Sequence, residues 1–397
     1  MKISLSVAML ALALVLIAPA ARAADVTADD TARFLAGLRP SAGSPLLPMT
    51  TDPAWQRHAQ FFDAAFAELE QQQLSKVRDW SAANLAAPKS TMFYMFAGPD
   101  FLYANAFHFR ATTYVLSGLE PTGGVSDLTA LQPEAVAVAL DNIERSLWSL
   151  LNFSFFNTRQ MKADLDVSEV NGTLPILYVF LARSGMTIRD VKPVTLDGNG
   201  ALYVGVDVLA RSNARGTRIV FAGADGVEKM LYYFSTDLSN SGLKTSGFLK
   251  FCATLAPGDS LIKSASYLMH LRDFSAVRNF ILANSATIVQ DDSGIPLAQY
   301  DPRKWRFFPF GRYLGPIERL FPGLYQPSYA ELFARARPID FGIGYRWRPN
   351  ESNVLLSVRL PSERTAAAEA GPSSATQPER TRPRKPRAPS PPSGSWR

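Results

Sequence analysis

Four apolar runs in this sequence end abruptly in acidic, glycine or serine residues, and this pattern constrains the fold most strongly. The runs are rich in aromatic and β-branched residues, so each is predicted to be a buried strand. Polar groups that follow buried strands meet in a cleft when the strands lie side by side. The runs with their endings are MFYMFAGPD at 92–100, TTYVLSGLE at 112–120, MLYYFSTD at 230–237 and TIVQDDSG at 287–294.

The amino-terminal part of the sequence is predicted to be helical. An apolar stripe that begins after Pro53 is typical of one long amphipathic helix. A second stripe at helical spacing predicts a helix over about 134–151. The segment TLPILYVFLARSG is apolar on nearly all sides and stops at Gly185, so it is predicted to be a buried helix.

Further along the chain, the apolar period becomes that of β-strands. Between residues 187 and 236, β-rich runs are separated by turn signals that include Asp225-Gly226, which predicts an antiparallel meander. Residues 340–360 alternate aromatic and polar side chains around Pro349-Asn350, which predicts a carboxy-terminal hairpin. The predicted fold class is therefore α+β, with a helical amino-terminal part packed on a mixed or antiparallel sheet.

The two ends of the chain differ in composition from the rest. Residues 1–23 combine Lys2, an apolar stretch and the small-residue cleavage site Ala21-Arg22-Ala23, as a secretory signal peptide does. Residues 361–397 are rich in Pro, Ser and Arg and are predicted to be a disordered basic tail. Residues 24–360 are predicted to form a single compact domain in the periplasm, with no transmembrane span after cleavage of the signal.

The net charge of +6 does not extend to the predicted domain. The signal segment contributes two positive charges, and the tail, with seven basic and three acidic residues, contributes four more. Residues 24–360 are therefore balanced and lack the basic surface that nucleic-acid binding requires. The expected partners are instead an envelope glycan, an anionic lipid or another envelope protein.

Motifs of well-known enzyme classes are missing from the sequence. It contains no phosphate-binding loop, dinucleotide fingerprint, nucleophile elbow or paired-cysteine metal knuckle. His58, His108 and His270 share no metal-binding spacing, so neither a metal nor a cofactor is predicted. Ser260-Leu-Ile-Lys263 matches S-x-x-K, but the S-D-N and K-T-G elements are missing, and we interpret the match as chance.

The polar strand ends supply the candidate functional residues. Side by side, they would form a carboxylate cluster suited to acid–base chemistry or to cation binding. The alternative is that each residue only caps a helix or forms a turn. The catalytic candidates are Asp100, Asp237, Asp291 and His270, and the ligand-binding candidates are Glu120, Asn240, Asp292 and Ser293.

The adjacent acids in QDDSGIP are expected to have different roles. Neighbouring residues on a strand point to opposite faces, so at most one of the two can readily enter a given cleft. Asp292 directly precedes Ser293-Gly294 and is predicted to bond the amide groups of the turn. Asp291 is then the residue predicted to face the cleft.

Several stretches of the chain resemble a family of exported bacterial proteins with no established activity. The resemblance lies in YMFAGPDFLYANAF, GTLPILYVFLARSG, LYYFSTDLSNSG, SASYLMH and QDDSGIP, and it spans roughly residues 53 to 360. It implies an envelope location and a single compact domain. It brings no catalytic residues to carry over.

Two classes of function remain open from the sequence. The first is a non-catalytic binding or envelope-associated module with an aromatic-rich surface. The second is a carboxylate-dependent hydrolase that acts on an envelope polymer or glycan, with His270 as an assistant. Two carboxylates that face each other across an open pocket would favour the hydrolase, whereas acids that are capped separately would favour the module.

Overall fold

The structure of the protein, a computed structural model, describes residues 25–153, 155, 169–205 and 214–361. The predicted signal peptide and, apart from Pro361, the predicted basic tail lie outside the described residues.

The helices of the described residues fall mainly in the amino-terminal part, where the apolar stripes predict them. They are α1 (Ala28–Leu35), α2 (Pro53–Leu69), α3 (Ser75–Asn84), α4 (Phe101–Phe107), α5 (Pro133–Phe153), α6 (Leu174–Arg183), α7 (Asn240–Ser246), α8 (Phe248–Thr254), α9 (Ser275–Asn284) and α10 (Pro327–Phe333).

Three helix predictions from the sequence are confirmed. The long helix after Pro53 consists of α2 and α3, joined by a π-helical turn at Glu70–Leu74. The predicted helix over 134–151 is α5. The predicted buried helix is α6, which buries every residue from Pro175 to Ala182 and is followed by Gly185 at a φ of 71°.

The strands of the described residues form one large sheet and one short pair. They are β1 (Thr91–Tyr94), β2 (Thr113–Gly118), β3 (Gly124–Val125), β4 (Val170–Asn171), β5 (Thr187–Leu196), β6 (Leu202–Val204), β7 (Arg215–Ala222), β8 (Glu228–Ser235), β9 (Gly258–Ile262), β10 (Ser285–Gln290), β11 (Trp305–Gly311) and β12 (Asn353–Arg359).

The large sheet is mixed, and its order is β11-β12-β10-β9-β1-β2-β8-β7-β5-β6. Its centre, from β10 to β8, is parallel. Antiparallel strands extend it on both sides, and the predicted meander at 187–236 is confirmed by the pairing of β5 with β6 and β7 and of β7 with β8. The α+β class is therefore correct, although the sequence did not predict the parallel centre.

Apolar layers cover both faces of the central strands. Met92 and Tyr94 of β1 lie in the layer formed with α1 to α6, whereas Phe93 lies in the layer formed with α8 and α9. This alternation follows from the pleat, which points successive side chains to opposite faces. Parallel strands that are buried on both faces have continuous apolar sequences, as β1 and β2 do.

The predicted carboxy-terminal hairpin is wrong. Residues 341–347 form no strand, and β12 pairs with β10 and β11 instead. Gly344 has a φ of 75°, which is incompatible with an extended strand, and Phe341 and Ile343 are buried in the core from a loop. Alternating aromatic residues here reflect the packing of a compact loop.

Among the described residues, no helix has the length and apolar character needed to cross a membrane.

Candidate functional site

A cavity of about 260 Å³ lies at the carboxyl edge of the central parallel strands. Segments that follow β1, β2, β8 and β9 form its lining, which includes Asp100, Glu120, Asp237 and Lys263. Parallel strands end at the same edge of a sheet, so residues distant in sequence meet there. The four polar endings predicted from the sequence therefore lie at one edge, and three of them line one cavity.

The cavity lies at the point in the sheet where the connections after two adjacent strands, β1 and β9, lead in opposite directions. From β1 the chain passes through α4 to β2 on one side, and from β9 it passes through α9 to β10 on the other side. The two connecting helices belong to opposite apolar layers. Adjacent strands whose connections lead in opposite directions leave a crevice between their carboxyl ends, which is where open α/β sheets bind ligands.

A buried ion pair bridges β1 and β9 at this reversal point. Lys263 Nζ lies 2.9 Å from Asp100 Oδ2, and both side chains are 2% exposed. Asp100 Oδ2 also accepts a hydrogen bond of 3.0 Å from the Tyr94 hydroxyl, and its Oδ1 accepts the Tyr103 amide that begins α4. Asp100 thus caps α4 and neutralises Lys263.

The ammonium group of Lys263 has a second favourable neighbour. Its Nζ lies 3.8 Å from the centre of the Tyr103 ring, within the range of cation–π contacts. Burial lowers the pKa of Lys263, and the charge of Asp100 opposes that effect. Burial and the nearby charge of Asp100 together raise the pKa of the Tyr94 hydroxyl, which therefore stays protonated and donates.

Glu120 carries the second carboxylate of the cavity and is 7% exposed. Its main-chain oxygen accepts a hydrogen bond of 2.8 Å from the Tyr233 hydroxyl, and its Oε2 lies 3.4 Å from the same hydroxyl. A Cβ atom at Gly118 would lie 2.2 Å from Glu120 Oε2, so the carboxylate occupies space that a larger residue at this position would require it to leave. Within the described part of the chain, no basic side chain forms an ion pair with Glu120.

Two hydroxyl groups of the lining are buried without a hydrogen-bond partner among the described residues. They belong to Thr236, which is 4% exposed and follows β8, and to Ser264, which follows β9. A buried hydroxyl without a partner costs free energy, because it has lost its bonds to water. These two hydroxyls therefore have unused hydrogen-bonding capacity in residues that line the cavity.

Backbone strain is concentrated in the segments that form the cavity. Phe96, Ser264, Ser266 and Tyr267 have φ values of 64°, 54°, 51° and 55°, and they are the non-glycine residues with positive φ in the described ranges. The first three line the cavity. Such conformations cost about 1–3 kcal/mol each and occur most often at functional sites.

Asp291, and not Asp292 as the sequence predicts, caps the turn after β10, and neither acid lines the cavity. Asp291 Oδ1 accepts the Ser293 amide at 3.0 Å, so Asp291 caps the turn, and its Oδ2 accepts the Ser264 amide at 2.9 Å. Asp292 instead accepts hydrogen bonds from the Tyr267 hydroxyl at 2.6 Å and from Asn353 Nδ2 at 3.0 Å. The chain turns immediately after β10, which brings the Ser293 amide back toward the earlier acid.

Burial controls the protonation of this acidic pair. Burial and the charge of Asp292 raise the pKa of Asp291 to about 7. Burial also raises the pKa of Asp292, although the hydrogen bonds from Asn353 and Tyr267 oppose the increase. A Cβ atom at Gly344 would lie 2.0 Å from Asp291 Oδ2, so the loop that follows α10 closes tightly over the pair.

The remaining candidates lie at the rim or outside the lining. Asp237 is exposed at the rim, and its carboxylate accepts the Ser239 amide and hydroxyl, both at 2.8 Å. Asn240 outside the lining bonds Arg272 O and the Ala276 amide and thereby joins α7 to α9.

His270 and Ser293 also lie outside the lining of the cavity. The ring of His270 packs edge-on against Tyr267 at 5.2 Å, and burial lowers its pKa to about 4, so it is neutral near pH 7. Ser293 donates to Asp291 and accepts the Ala265 amide, and it therefore joins the ends of β10 and β9. The geometry thus gives Ser293 a structural position and leaves His270 away from the acids of the cavity.

Sequence reasoning missed Lys263, Thr236 and Ser264. β9 has the sequence GDSLI, whose apolar part is too short to mark it as a strand, so Lys263 and Ser264 carried no signal. Thr236 lies inside the run MLYYFSTD, from which only the acid was a candidate. In the S-x-x-K match, Ser260 bonds Ser285 at 2.7 Å inside the sheet. Residues three apart on a strand point to opposite faces, so Ser260 and Lys263 do not form a catalytic pair.

No metal centre emerges from the described residues, because they contain no group of three or more histidine, cysteine or acidic side chains that could hold an ion. Comparisons of the chain with protein-family models, with curated proteins and with solved structures found no match.

Proposed function

We propose that this protein is an exported, non-catalytic binding protein that holds a small ligand in the cavity at the carboxyl edge of its sheet. The observation that carries the proposal is the bonding of the acids in the lining. Asp100 is held in an ion pair, and Asp237 is bonded to Ser239. Acids that are engaged separately can orient a ligand, but they cannot exchange protons as a catalytic pair does.

The shape and chemistry of the cavity support a small ligand. Ligand sites are concave, mainly apolar and supplied with a few fixed polar groups. Phe96, Phe155 and Phe274 provide apolar walls here, while Glu120 and Thr236 provide polar groups. A volume of about 260 Å³ is slightly below the usual range for drug-sized ligands, which favours a compact molecule.

The hydrolase alternative finds less support in this arrangement. Hydrolysis by paired carboxylates requires one acid to give up a proton while the other takes one or attacks. The oxygens of Asp100 are already engaged by Lys263, by the Tyr94 hydroxyl and by the Tyr103 amide, so none is left for such a cycle. His270, the assistant expected from the sequence, does not line the cavity.

A binding screen with a blocked variant tests the proposal. Ligand-observed NMR should detect binding from a panel of small neutral sugars, phenyl alcohols, carboxylates and amines. Leu119→Trp places a large ring at the rim of the cavity, where Leu119 is 73% exposed, and should abolish that binding without affecting the fold. Leu271→Trp is the matched control, since Leu271 is 50% exposed and lies outside the lining.

The screen contradicts the proposal if no compound binds, or if Leu119→Trp binds every compound as the unaltered protein does. Export is tested separately by sequencing the amino terminus of the protein from fractionated cells. The signal features predict a mature chain that begins at or next to Ala24. An intact Met1 terminus held in the inner membrane would disprove export.

A further inference from the structure

The charges of the described residues in the cavity lining are unbalanced. Among them, one ammonium group, Lys263, accompanies three carboxylates, Asp100, Glu120 and Asp237. Lys263 is bonded to Asp100 at 2.9 Å, so its charge is compensated within the protein. Glu120 and Asp237 leave an excess of negative charge at the cavity, and that excess disfavours an anionic ligand.

The hydrogen-bonding groups of the cavity require a ligand that donates. An ionised Glu120 carboxylate only accepts hydrogen bonds, and the unpartnered hydroxyls of Thr236 and Ser264 can also accept them. Thr236 is 4% exposed, so water does not easily supply the missing bond. A primary ammonium group carries one positive charge and only donates hydrogen bonds, so it complements Glu120 and Thr236, which follow the neighbouring strands β2 and β8.

The apolar walls fit the same kind of ligand. The rings of Phe96 and Phe274 meet edge to face, with their centres 5.9 Å apart, and Phe155 contributes a third ring to the lining. Aromatic faces attract cations and also pack against apolar groups. A compact molecule with an apolar body and an ammonium group would therefore fit the walls and the acids together.

We propose that the cavity binds a small organic cation, whose primary ammonium group is held by Glu120 with the help of Thr236 while its apolar body packs against Phe96 and Phe274. This inference rests on the proposed function and specifies its ligand class. Glu120 is then the residue that determines specificity, and Lys263 keeps Asp100 neutralised so that the ammonium group binds at Glu120.

Three probes that share a phenyl ring and differ mainly in charge test the inference. Isothermal titration should show that 2-phenylethylamine binds on the order of tenfold more tightly than 2-phenylethanol, because the charged hydrogen bonds are lost in the alcohol. Binding of 2-phenylacetate should be weaker than that of either. Glu120→Gln keeps the shape of the side chain and should remove the preference for the amine while binding of the alcohol stays the same.

Two further variants show whether a change in probe binding arises at the cavity or from the loss of a negative charge anywhere on the protein. Glu228→Gln makes the same change at an exposed position at the start of β8, on the opposite edge of the sheet, and should bind all three probes as the unaltered protein does. Thr236→Val should weaken the amine more than the alcohol, because it removes a hydroxyl of the lining.

The inference is overturned if the alcohol or the acid binds as tightly as the amine, if Glu120→Gln binds the amine unchanged, or if none of the three probes binds at millimolar concentration. In each of these cases, the ligand screen with Leu119→Trp still decides whether the protein binds a small molecule in the cavity. If a neutral or anionic compound binds in that screen and Leu119→Trp abolishes its binding, the proposed binding function stands. Only the proposal that the ligand is a cation is then rejected.

Discussion

The ion pair between Lys263 and Asp100 is the most demanding polar arrangement in the cavity, because almost no water reaches either side chain. Removing one partner of such a pair leaves an uncompensated buried charge, whereas removing both leaves none. The pair also joins the segments after β1 and β9, on which the shape of the cavity depends. The contribution of the pair to the free energy of unfolding can therefore be measured as a coupling between Asp100 and Lys263.

Asp100→Asn and Lys263→Met should each lower the free energy of unfolding by about 3–5 kcal/mol, since each leaves the charge of the other residue buried without compensation. The double variant should lose clearly less than the sum of the two, because neither charge then remains. Urea denaturation of the four proteins measures this coupling. Strictly additive losses would show that the two side chains do not interact in the folded protein.

The acidic pair at Asp291 and Asp292 predicts how stability depends on pH. The folded state raises the pKa of Asp291 from 3.8 to about 7, so it keeps a proton that the unfolded chain releases earlier. This contribution to stability is fully present below pH 3.8 and is lost as the pH rises through about 7. The slope it adds is at most about 1.4 kcal/mol per pH unit.

Asp291→Asn cannot ionise and should therefore show a smaller fall in the free energy of unfolding between pH 4 and pH 7 than the unaltered protein. Denaturation at a series of pH values measures the difference, and Asp273→Asn, at an exposed position, is the matched control. Equal slopes for the unaltered protein and Asp291→Asn would mean that Asp291 ionises at its ordinary pH.

The long helix formed by α2 and α3 depends on the π-helical turn at Glu70–Leu74. A π-helical turn contains one residue more than an α-helical turn. It therefore accommodates an extra residue without turning the apolar faces of α2 and α3 away from each other. The turn keeps Phe62 and Phe66 of α2 and Trp80 of α3 in the same core. It also brings Gln73 to the Gly342 amide, which its side chain accepts at 2.9 Å.

Deletion of Gln71 should convert the π turn into an ordinary α-helical turn, and the melting temperature should fall by only a few degrees. Deletion of Arg57 rotates the residues between it and the π turn by about 100° and should remove Phe62 and Phe66 from the core. Both deleted residues are exposed, so neither deletion removes core contacts directly. Thermal melts followed by circular dichroism that show equal losses for the two deletions would contradict this role of the turn.

At the scale of elements, the sequence predicts helices and hairpins, which local patterns determine. It does not predict which distant strands pair in the sheet. The helices follow from apolar stripes, and the Asp225-Gly226 hairpin follows from its turn. The pairing of β1 with β9 joins Met92 to Asp259 across more than 160 residues, and no local pattern records it. The loop around Gly344 failed as a predicted strand because its aromatic residues are buried by tertiary packing.

The residues of the candidate site could be predicted from the sequence only in part. Asp100 and Glu120 were found because acids directly follow apolar strands. Lys263 stands in no sequence pattern except the S-x-x-K match, and the strained conformation of Ser264 has no signal in the sequence. The roles of Asp291 and Asp292 depended on the path of the turn, which side-chain alternation along a strand does not describe.

At the scale of the whole described molecule, helices on both faces of the sheet cover its apolar surface and leave the carboxyl edge of the parallel strands for the cavity. Segments far apart in the sequence bring one paired lysine, two further acids and two unpartnered hydroxyls to that edge. The central proposal is that a small organic cation binds in this cavity.

Methyl NMR spectra of the protein labelled at alanine and leucine, recorded with and without 2-phenylethylamine, test this claim most directly. The methyl signals of Ala97, Leu119 and Leu268, which line the cavity, are predicted to shift in a saturable manner. Those of Leu271 and Leu320, which are exposed elsewhere, are predicted to stay in place. Saturable shifts confined to residues outside the lining, or no shifts at all, would contradict the claim.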